Sequence, residues 1–263
     1  MTSPMNSPKS HHTLPRFYLS GFCDREIHSL EDHERDRSRC RVWVHDKEQG
    51  RVRQRGVKKL TAATHFYSLE APDGKTDASP EEALSRLESA AAPIIRNLYY
   101  GRGLAREEVE VLAVFFASMK FRVTAYRTFA RRHLQENKER IKASAFPSPE
   151  IVERALRRAG HPEAEDPKAV RRIFREARYG HIALKLTKNH NIGHMFDHSR
   201  KIARVLLTQD WTFVWATRGA AFVTSDDPVV LLRPDLEAPG SYWGDSGFAS
   251  PDTTKVLPLT QRV

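Results

Sequence analysis

The sequence predicts an α+β fold in which a mixed or antiparallel sheet, formed from N- and C-terminal strands, packs against a central helical bundle. Two observations carry this prediction. Apolar and polar residues alternate near both ends of the chain, whereas apolar residues recur at helical spacing between about residues 80 and 208. We expect residues 1–10 to form a flexible tail, because they are polar and rich in Pro and Ser, and residues 11–263 to form a single domain.

Strands are predicted in both terminal parts of the chain. Residues 40–45 and 51–55 alternate with period two on either side of a polar turn, which is typical of a β-hairpin, and residues 65–69 form a third short run. Residues 24–39 mix acids and bases with little to bury, so we expect a solvated surface loop. In the C-terminal part, the same period predicts strands at 211–216, 221–224, 229–232 and 255–259.

Helices are predicted for the middle of the chain. Ser79 followed by Pro80 and two glutamates indicates a helix start, because Ser is a favoured N-cap and Pro is favoured at the first helical position. Apolar residues then recur at helical spacing until Gly101. A second helix is expected from Ala105, with basic residues gathered on its later turns as far as Lys142. Further helices are predicted at 147–158, 167–178 and 195–207.

The chain is strongly basic, with 43 Lys and Arg against 33 Asp and Glu, a net charge of +10 and a pI near 9.7. Such a charge favours polyanionic partners such as nucleic acid or a nucleotide, although charge alone does not name one, because basic proteins without a nucleic-acid function are common. Residues 120–142 carry eight basic and two acidic side chains, with Tyr126 and Phe129 interleaved, and would suit a nucleic-acid backbone. A solvated helix face is the commoner explanation of such a run.

Several classes of protein receive no support. The longest apolar run, at 111–119, is too short to cross a bilayer, and the first residues lack the apolar stretch of a signal peptide. Only two cysteines occur, Cys23 and Cys40, and they lack the spacing of a zinc site, so we expect a reducing compartment. Together with the short apolar run, this favours a cytoplasmic location and no membrane partner. The sequence contains no Walker-type loop, GxGxxG or GxSxG, so NTPase, Rossmann oxidoreductase and α/β-hydrolase functions are not indicated.

Two polar and aromatic motifs lie about 200 residues apart: HTLPRFYLSGF at 12–22 and FVTSDDP at 222–228. Together they resemble the two signatures of the domain of unknown function 4238 family (DUF4238), an HxxP-(R/Q)-x-YL-x-x-F opening and a late F-(I/V)-T-S-D-x-P turn. Between them, similar residues stand where the family pattern has them, namely Glu81, Glu88, Arg122 and Trp211. The resemblance covers most of the chain and implies no activity. Family members tend to continue beyond the segment at 257–260, which leaves room for a final piece.

These motifs suggest a candidate site. If the two chain ends fold back onto each other, an imidazole, a guanidinium and a carboxylate would share one pocket, which suits phosphate chemistry. His12 would be the general acid or base, and Asp226 would orient His12 or bind a divalent metal such as Mg²⁺. The candidate catalytic residues are His12, Glu88 and Asp226, and the candidate substrate-binding residues are Arg16, Arg122 and Ser225.

The leading function predicted from these residues is an intracellular nuclease or phosphodiesterase-like hydrolase. The alternative is a non-catalytic basic nucleic-acid-binding or protein-interaction domain, because each part of the site also has a structural explanation. The segment 225–228 is a good turn sequence in its own right, since Ser and Asp bond their local backbone and Pro fixes φ. Arg122 could likewise pair with Glu88 and brace two packed helices.

A weaker metal-binding hypothesis rests on three histidines. His190, His194 and His198 are spaced i, i+4, i+8, so they would line up on one face of a helix. Gly193 interrupts that helix, and no glutamate of an HExxH motif accompanies the histidines. Solvent-facing side chains near a helix start explain the pattern more simply.

Overall fold

The structure is a computed structural model that describes six stretches of the chain. They are 10–23, 40–64, 66–70, 76–181, 185–232 and 247–263. Helices dominate these stretches and short antiparallel strand pairs accompany them, which confirms the predicted α+β class. The predicted tail, apart from Ser10, and the predicted surface loop at 24–39 lie outside the described residues.

The strands form small two-stranded sheets. They are β1 (Ser10–His12), β2 (Arg41–Asp46), β3 (Arg51–Gly56), β4 (Ala62–Thr64), β5 (Leu69–Glu70), β6 (Thr76–Asp77), β7 (Val230–Leu232) and β8 (Thr254–Val256). In the described part of the chain, β1 pairs with β4, β2 with β3, β5 with β6 and β7 with β8, all antiparallel. N-terminal strands therefore pair with N-terminal strands and C-terminal strands with C-terminal strands, in separate sheets. The predicted hairpin corresponds to the β2–β3 pair.

Helices fill the middle of the chain. They are α1 (Arg16–Ser20), α2 (Val57–Leu60), α3 (Ser79–Tyr99), α4 (Arg106–Phe121), α5 (Thr124–Glu136), α6 (Lys138–Ala145), α7 (Pro149–Arg158), α8 (Pro167–Tyr179) and α9 (Lys188–Leu206), with a 3₁₀ turn at Pro162–Glu165. The predicted helix start is confirmed within one residue: Ala78 is the N-cap, and the Ser79 N–H donates to Oδ1 of Asp77 at 2.8 Å. No helix in the described stretches is long and apolar enough to cross a membrane.

The helix predicted from Ala105 to Lys142 is interrupted twice. Arg122 and Val123 separate α4 from α5, and Asn137 separates α5 from α6. Both residues at the first break are buried, with Arg122 2% and Val123 0% exposed. The helical spacing of apolar residues continues across Arg122 and Val123, so the sequence pattern did not predict that the helix ends there.

The chain divides into two compact units, one formed by residues 1–126 and 188–263 and the other by residues 127–187. The first unit contains the main apolar core, in which α4 packs against α3 and α9. In the second unit, α7, α8 and the 3₁₀ turn pack against one another, and α6 packs against α8. A single domain over 11–263 stays a prediction.

The two sequence motifs meet within the first unit. The Tyr18 and Thr224 hydroxyls share a hydrogen bond of 2.6 Å, and the Gln261 N–H donates to the Gly21 carbonyl at 2.9 Å. Gly21 permits this approach, because a Cβ there would lie 3.0 Å from Cγ2 of Thr260. The chain ends therefore fold back onto each other.

Other local predictions differ from the structure. Residues 211–216 and 221–224 are not strands, because Ala216 and Phe222 donate isolated backbone bonds of 2.8 Å to the carbonyls of Arg262 and Gln261 instead of joining a ladder. Within the predicted strand 65–69, residue 65 lies outside the described residues, 66–68 are not in a strand, and Leu69 begins β5.

The two cysteines are paired. Cys23 and Cys40 are buried and form a disulfide, with Cα atoms 5.9 Å apart. The sequence spacing gave no sign of this pairing, and the prediction of a reducing compartment did not anticipate it.

Candidate functional site

A buried polar cluster surrounds Arg122, the residue that follows the last turn of α4. Its Nη1 lies 2.8 Å from Oε1 of Glu88 on α3, and its Nη2 donates to the carbonyl oxygen of His12 at 2.9 Å. A buried guanidinium needs such partners, because an unpaired charge removed from water is costly. Arg122 therefore ties α3 and β1 to the end of α4.

Tyr67 contacts the same guanidinium. Its hydroxyl donates to the carbonyl of Arg122 at 3.0 Å, while Nε of Arg122 donates to the hydroxyl oxygen at 3.4 Å. The guanidinium carbon also lies 5.6 Å from the centre of the Tyr67 ring, within range of a cation–π interaction. Burial opposes the charged form, but Tyr67 and Glu88 outweigh it, so the pKa of Arg122 is raised and the side chain stays charged.

Strand β1 brings two histidines to this cluster. Its register with β4 sets His11 opposite Ala63 and His12 opposite Ala62. His11 is buried, its Nδ1 accepts a hydrogen bond of 2.8 Å from the backbone N–H of Tyr67, and the two rings stack 5.9 Å apart. Since Nδ1 is an acceptor, the neutral ring of His11 carries its proton on Nε2.

His12 is half-buried beside two guanidinium groups. Burial lowers the pKa of its imidazole, and the charges of Arg16 and Arg122 lower it further, so the ring is neutral near pH 7. Nδ1 of His12 and Nε of Arg16 are buried, and neither finds a hydrogen-bond partner among the described residues. Such orphaned polar atoms are uncommon in folded proteins, and each needs an explanation, such as a catalytic role or a bound water or ion.

Glu81, to which the sequence hypothesis gave no chemical role, belongs to the same cluster. Burial raises the pKa of its carboxyl, Arg122 partly reverses this effect, and Glu88 adds to it. Its Oε2 lies 3.7 Å from Nδ1 of His11 and has no hydrogen-bond partner in the described stretches. Glu81 and Glu88 are seven residues apart on α3, which places both on one helix face. That spacing was a usable signal in the sequence.

The predicted Ser-Asp pair is not brought into the cluster. Ser225 is exposed, and its hydroxyl donates to the Asp227 carbonyl at 2.8 Å while accepting from the Asp227 N–H at 3.2 Å. Asp226 is exposed and makes no hydrogen bond or ion pair with any described residue. The local turn bonds thus explain Ser225, as the structural alternative expected. His12, Arg16, Glu88 and Arg122 are the predicted site residues that come together.

Asp227 is the anchored carboxylate of the turn. Nζ of Lys120 donates to both of its carboxylate oxygens at 3.1 Å and to the Val229 carbonyl at 3.3 Å. Lys120 is 6% exposed, so the pair lies at the edge of the core. The sequence could not distinguish this aspartate from its neighbour Asp226, since only the tertiary partner sets them apart.

The three histidines of α9 do line up. Successive ring centroids of His190, His194 and His198 lie 4.4 and 4.7 Å apart. Burial, followed by the two neighbouring imidazoles, lowers the pKa of His194. In the described stretches, no group of three or more His, Cys, Asp or Glu side chains is arranged to hold a metal ion.

Comparisons with known proteins give a family and no relative of known function. Neither the curated proteins nor the solved structures include a match. A family model described as "Protein of unknown function (DUF4238)" matches residues 10–263, nearly the whole chain. The two motifs at the chain ends and this match agree, and the chain therefore belongs to the DUF4238 family.

Proposed function

We propose that the cluster around Arg122 is the active site of a nuclease or phosphodiesterase-like hydrolase. One observation carries this proposal: three buried polar atoms without hydrogen-bond partners in the described residues lie on side chains next to a charged guanidinium. They are Nδ1 of His12, Nε of Arg16 and Oε2 of Glu81. An imidazole, a cation and a carboxyl are groups that can catalyse phosphodiester hydrolysis by proton transfer and by stabilising negative charge.

His12 and Glu81 supply the proton transfers. The lowered pKa of His12 keeps its imidazole neutral and able to accept a proton, whereas the raised pKa of Glu81 lets its carboxyl hold a proton to higher pH than an ordinary glutamate. Titratable groups whose environments push their pKa values apart are the usual acid and base of an active site. His12 is therefore the base and Glu81 the acid.

The two arginines have different tasks. Arg122 is occupied by Glu88, the His12 carbonyl and Tyr67, so it is a positioning residue that holds β1 against α3. Arg16 has an orphaned Nε and supplies the cation that binds a phosphate oxygen. In this assignment Glu88 serves as the counter-ion of Arg122.

The reaction follows from these roles. A water oxygen attacks phosphorus while His12 takes the proton of the water. The bond from phosphorus to the leaving oxygen breaks, and Glu81 gives its proton to that oxygen. Arg16 stabilises the negative charge that builds on the other phosphate oxygens. Solvent then removes the proton from His12 and restores the proton of Glu81.

A second candidate is a non-catalytic binding protein in which the cluster is only a brace. The ion pair and the two hydrogen bonds of the Arg122 guanidinium favour it, because buried paired cations commonly serve structure alone.

The test is cleavage of labelled single-stranded RNA and DNA by purified protein, with and without Mg²⁺. We expect cleavage, a loss of about 10²- to 10⁴-fold in kcat for His12→Ala, and wild-type activity for the matched control Asp226→Asn. Because the pKa of His12 is lowered from 6.5, the acid limb of kcat/KM should lie below that pH. Absent cleavage by wild type, or full activity of His12→Ala, would overturn the hydrolase proposal for these substrates.

A further inference from the structure

The positive charge of the chain is concentrated in the second unit. Residues 127–187 contain 15 Lys and Arg against 8 Asp and Glu, and so account for +7 of the net +10. A compact unit with this excess creates a potential that attracts polyanions. The question is which of its surfaces presents the charge.

The strip predicted at 120–142 is not a continuous surface. Lys120 and Arg122, which belong to the first unit, are buried against their partners. Within the second unit, Lys142 is 1% exposed, its Nζ donates to the Gly180 carbonyl at 2.9 Å, and it pairs with Glu139 at 3.2 Å. Three of the eight cations counted at 120–142 are therefore buried and cannot contact a ligand.

Helix α8 presents the basic surface instead. On one side of the helix, Ala169, Val170 and Ala177 are buried. At 3.6 residues per turn, its cations all fall within an arc of about 120° on the opposite side, over a length of about 15 Å. This basic stripe consists of Lys168, Arg171, Arg172, Arg175 and Arg178.

The basic stripe is not neutralised by neighbouring acids. None of its five cations makes an ion pair or a side-chain hydrogen bond with any residue that the structure describes. On α7, by contrast, Arg157 contacts Glu153 at 3.1 Å and Glu165 at 2.6 Å. Five cations on one helix face repel one another, and an anionic ligand would relieve this repulsion.

An aromatic ring lies at the end of the stripe. Tyr179 is 68% exposed, and the guanidinium carbon of Arg178 lies 5.0 Å from the centre of its ring. Aromatic rings beside a positive track are the arrangement on which bases of a single strand stack. A membrane surface would instead require exposed aliphatic side chains along the same face, and the stripe contains none.

We propose that the basic stripe of α8 binds the backbone of a single-stranded nucleic acid, with Tyr179 stacking on a base. RNA and DNA share the phosphodiester chemistry that the arginines recognise. This inference goes beyond the hydrolase proposal, because it concerns binding by the second unit and holds whether or not the cluster around Arg122 is catalytic.

The experiment measures binding of the full chain to fluorescent 20-nucleotide oligouridylate RNA, oligothymidylate DNA and a duplex, by anisotropy over a range of salt. The test variant carries Arg171→Gln, Arg172→Gln and Arg175→Gln. The matched control carries Arg131→Gln, Arg132→Gln and Arg140→Gln, which removes the same charge from exposed positions of the same unit. His12→Ala is measured alongside, so that binding and cleavage are scored separately.

We expect the test variant to bind the single strands at least ten-fold more weakly, with a salt slope lower by about 2, and the control to stay within about three-fold of wild type. Tyr179→Ala should weaken binding about five-fold or more, since stacking contributes to each base held. Equal losses in test and control variants would overturn the stripe as the site. So would a preference for duplex, or binding to phosphatidylserine vesicles without binding to the oligonucleotides.

Discussion

Arg122 in the first unit and the arginines of the basic stripe in the second place the same guanidinium group in opposite environments. Arg122 is 2% exposed and held by a carboxylate, a carbonyl and a hydroxyl. The cations of the stripe lie on the solvent side of α8 and make no ion pair in the described part of the chain. The contrast shows why a charge count does not locate a binding surface: burial decides which cations maintain the fold and which can meet a ligand.

The largest effect should come from removing the buried cation. Arg122→Met leaves the carboxylate of Glu88 without its partner, so we expect the free energy of unfolding to fall by about 3–5 kcal/mol in urea titrations. Arg175→Met, the control from the stripe, should change it by less than about 0.5 kcal/mol. Similar values for the two variants would remove the distinction between bracing and binding cations.

A smaller effect should separate two adjacent aspartates. Asp227→Asn weakens a charged hydrogen-bonded pair with Lys120 and should cost about 1–3 kcal/mol of unfolding free energy. Asp226→Asn alters an exposed side chain and should cost less than about 0.5 kcal/mol. Thermal melts of both variants check this prediction, and a larger loss for Asp226→Asn would contradict the assignment of the anchored carboxylate.

The smallest effect should appear on acidification. The pKa of His12 is lowered from 6.5 in the folded state, so the stability that depends on its neutral form is complete above about pH 6.5 and is lost as the pH falls below it. Glu81 has a raised pKa and therefore acts with the opposite sign, costing stability as the pH rises.

His12→Gln isolates the histidine contribution. Between about pH 7.5 and about pH 5.5, we expect wild type to lose more unfolding free energy than His12→Gln in urea titrations. His161→Gln, a change at an exposed histidine of the second unit, should behave as wild type. Identical pH dependence in wild type and His12→Gln would mean that neither burial nor the guanidinium neighbours lower the pKa of the imidazole.

Local signals predicted much of the fold. The Ser79-Pro80 start, the period-two runs of β2 and β3 and the apolar face of α8 each depend on neighbouring residues, and the structure confirms them. The break after α4 was not predictable in the same way, because the helical pattern continues across Arg122 and the break depends on tertiary partners.

The candidate site was predicted only in part, because tertiary burial also decides which polar residues belong to it. His12 and Arg16 were identified from the polar and aromatic motif, and Glu88 and Arg122 from the family resemblance, and the fold brings the four together. The sequence hypothesis chose Asp226 over Glu81, since an aspartate in a motif attracts attention whereas a glutamate in the first turn of a helix is ordinary. Tertiary burial, which a linear pattern does not contain, gives Glu81 its unusual carboxyl.

The three-residue pairing of β1 with β4 determines which side of the strand His11 and His12 each face. Consecutive side chains of a strand face opposite sides, so a slip of one residue would exchange His11 and His12. The Thr61 hydroxyl, which donates to the Leu14 carbonyl at 3.0 Å, and the Thr13 N–H, which donates to the Thr61 carbonyl at 3.0 Å, hold the alignment just beyond the strand. Two threonines thus determine which of the two histidines lies beside Arg16 and Arg122.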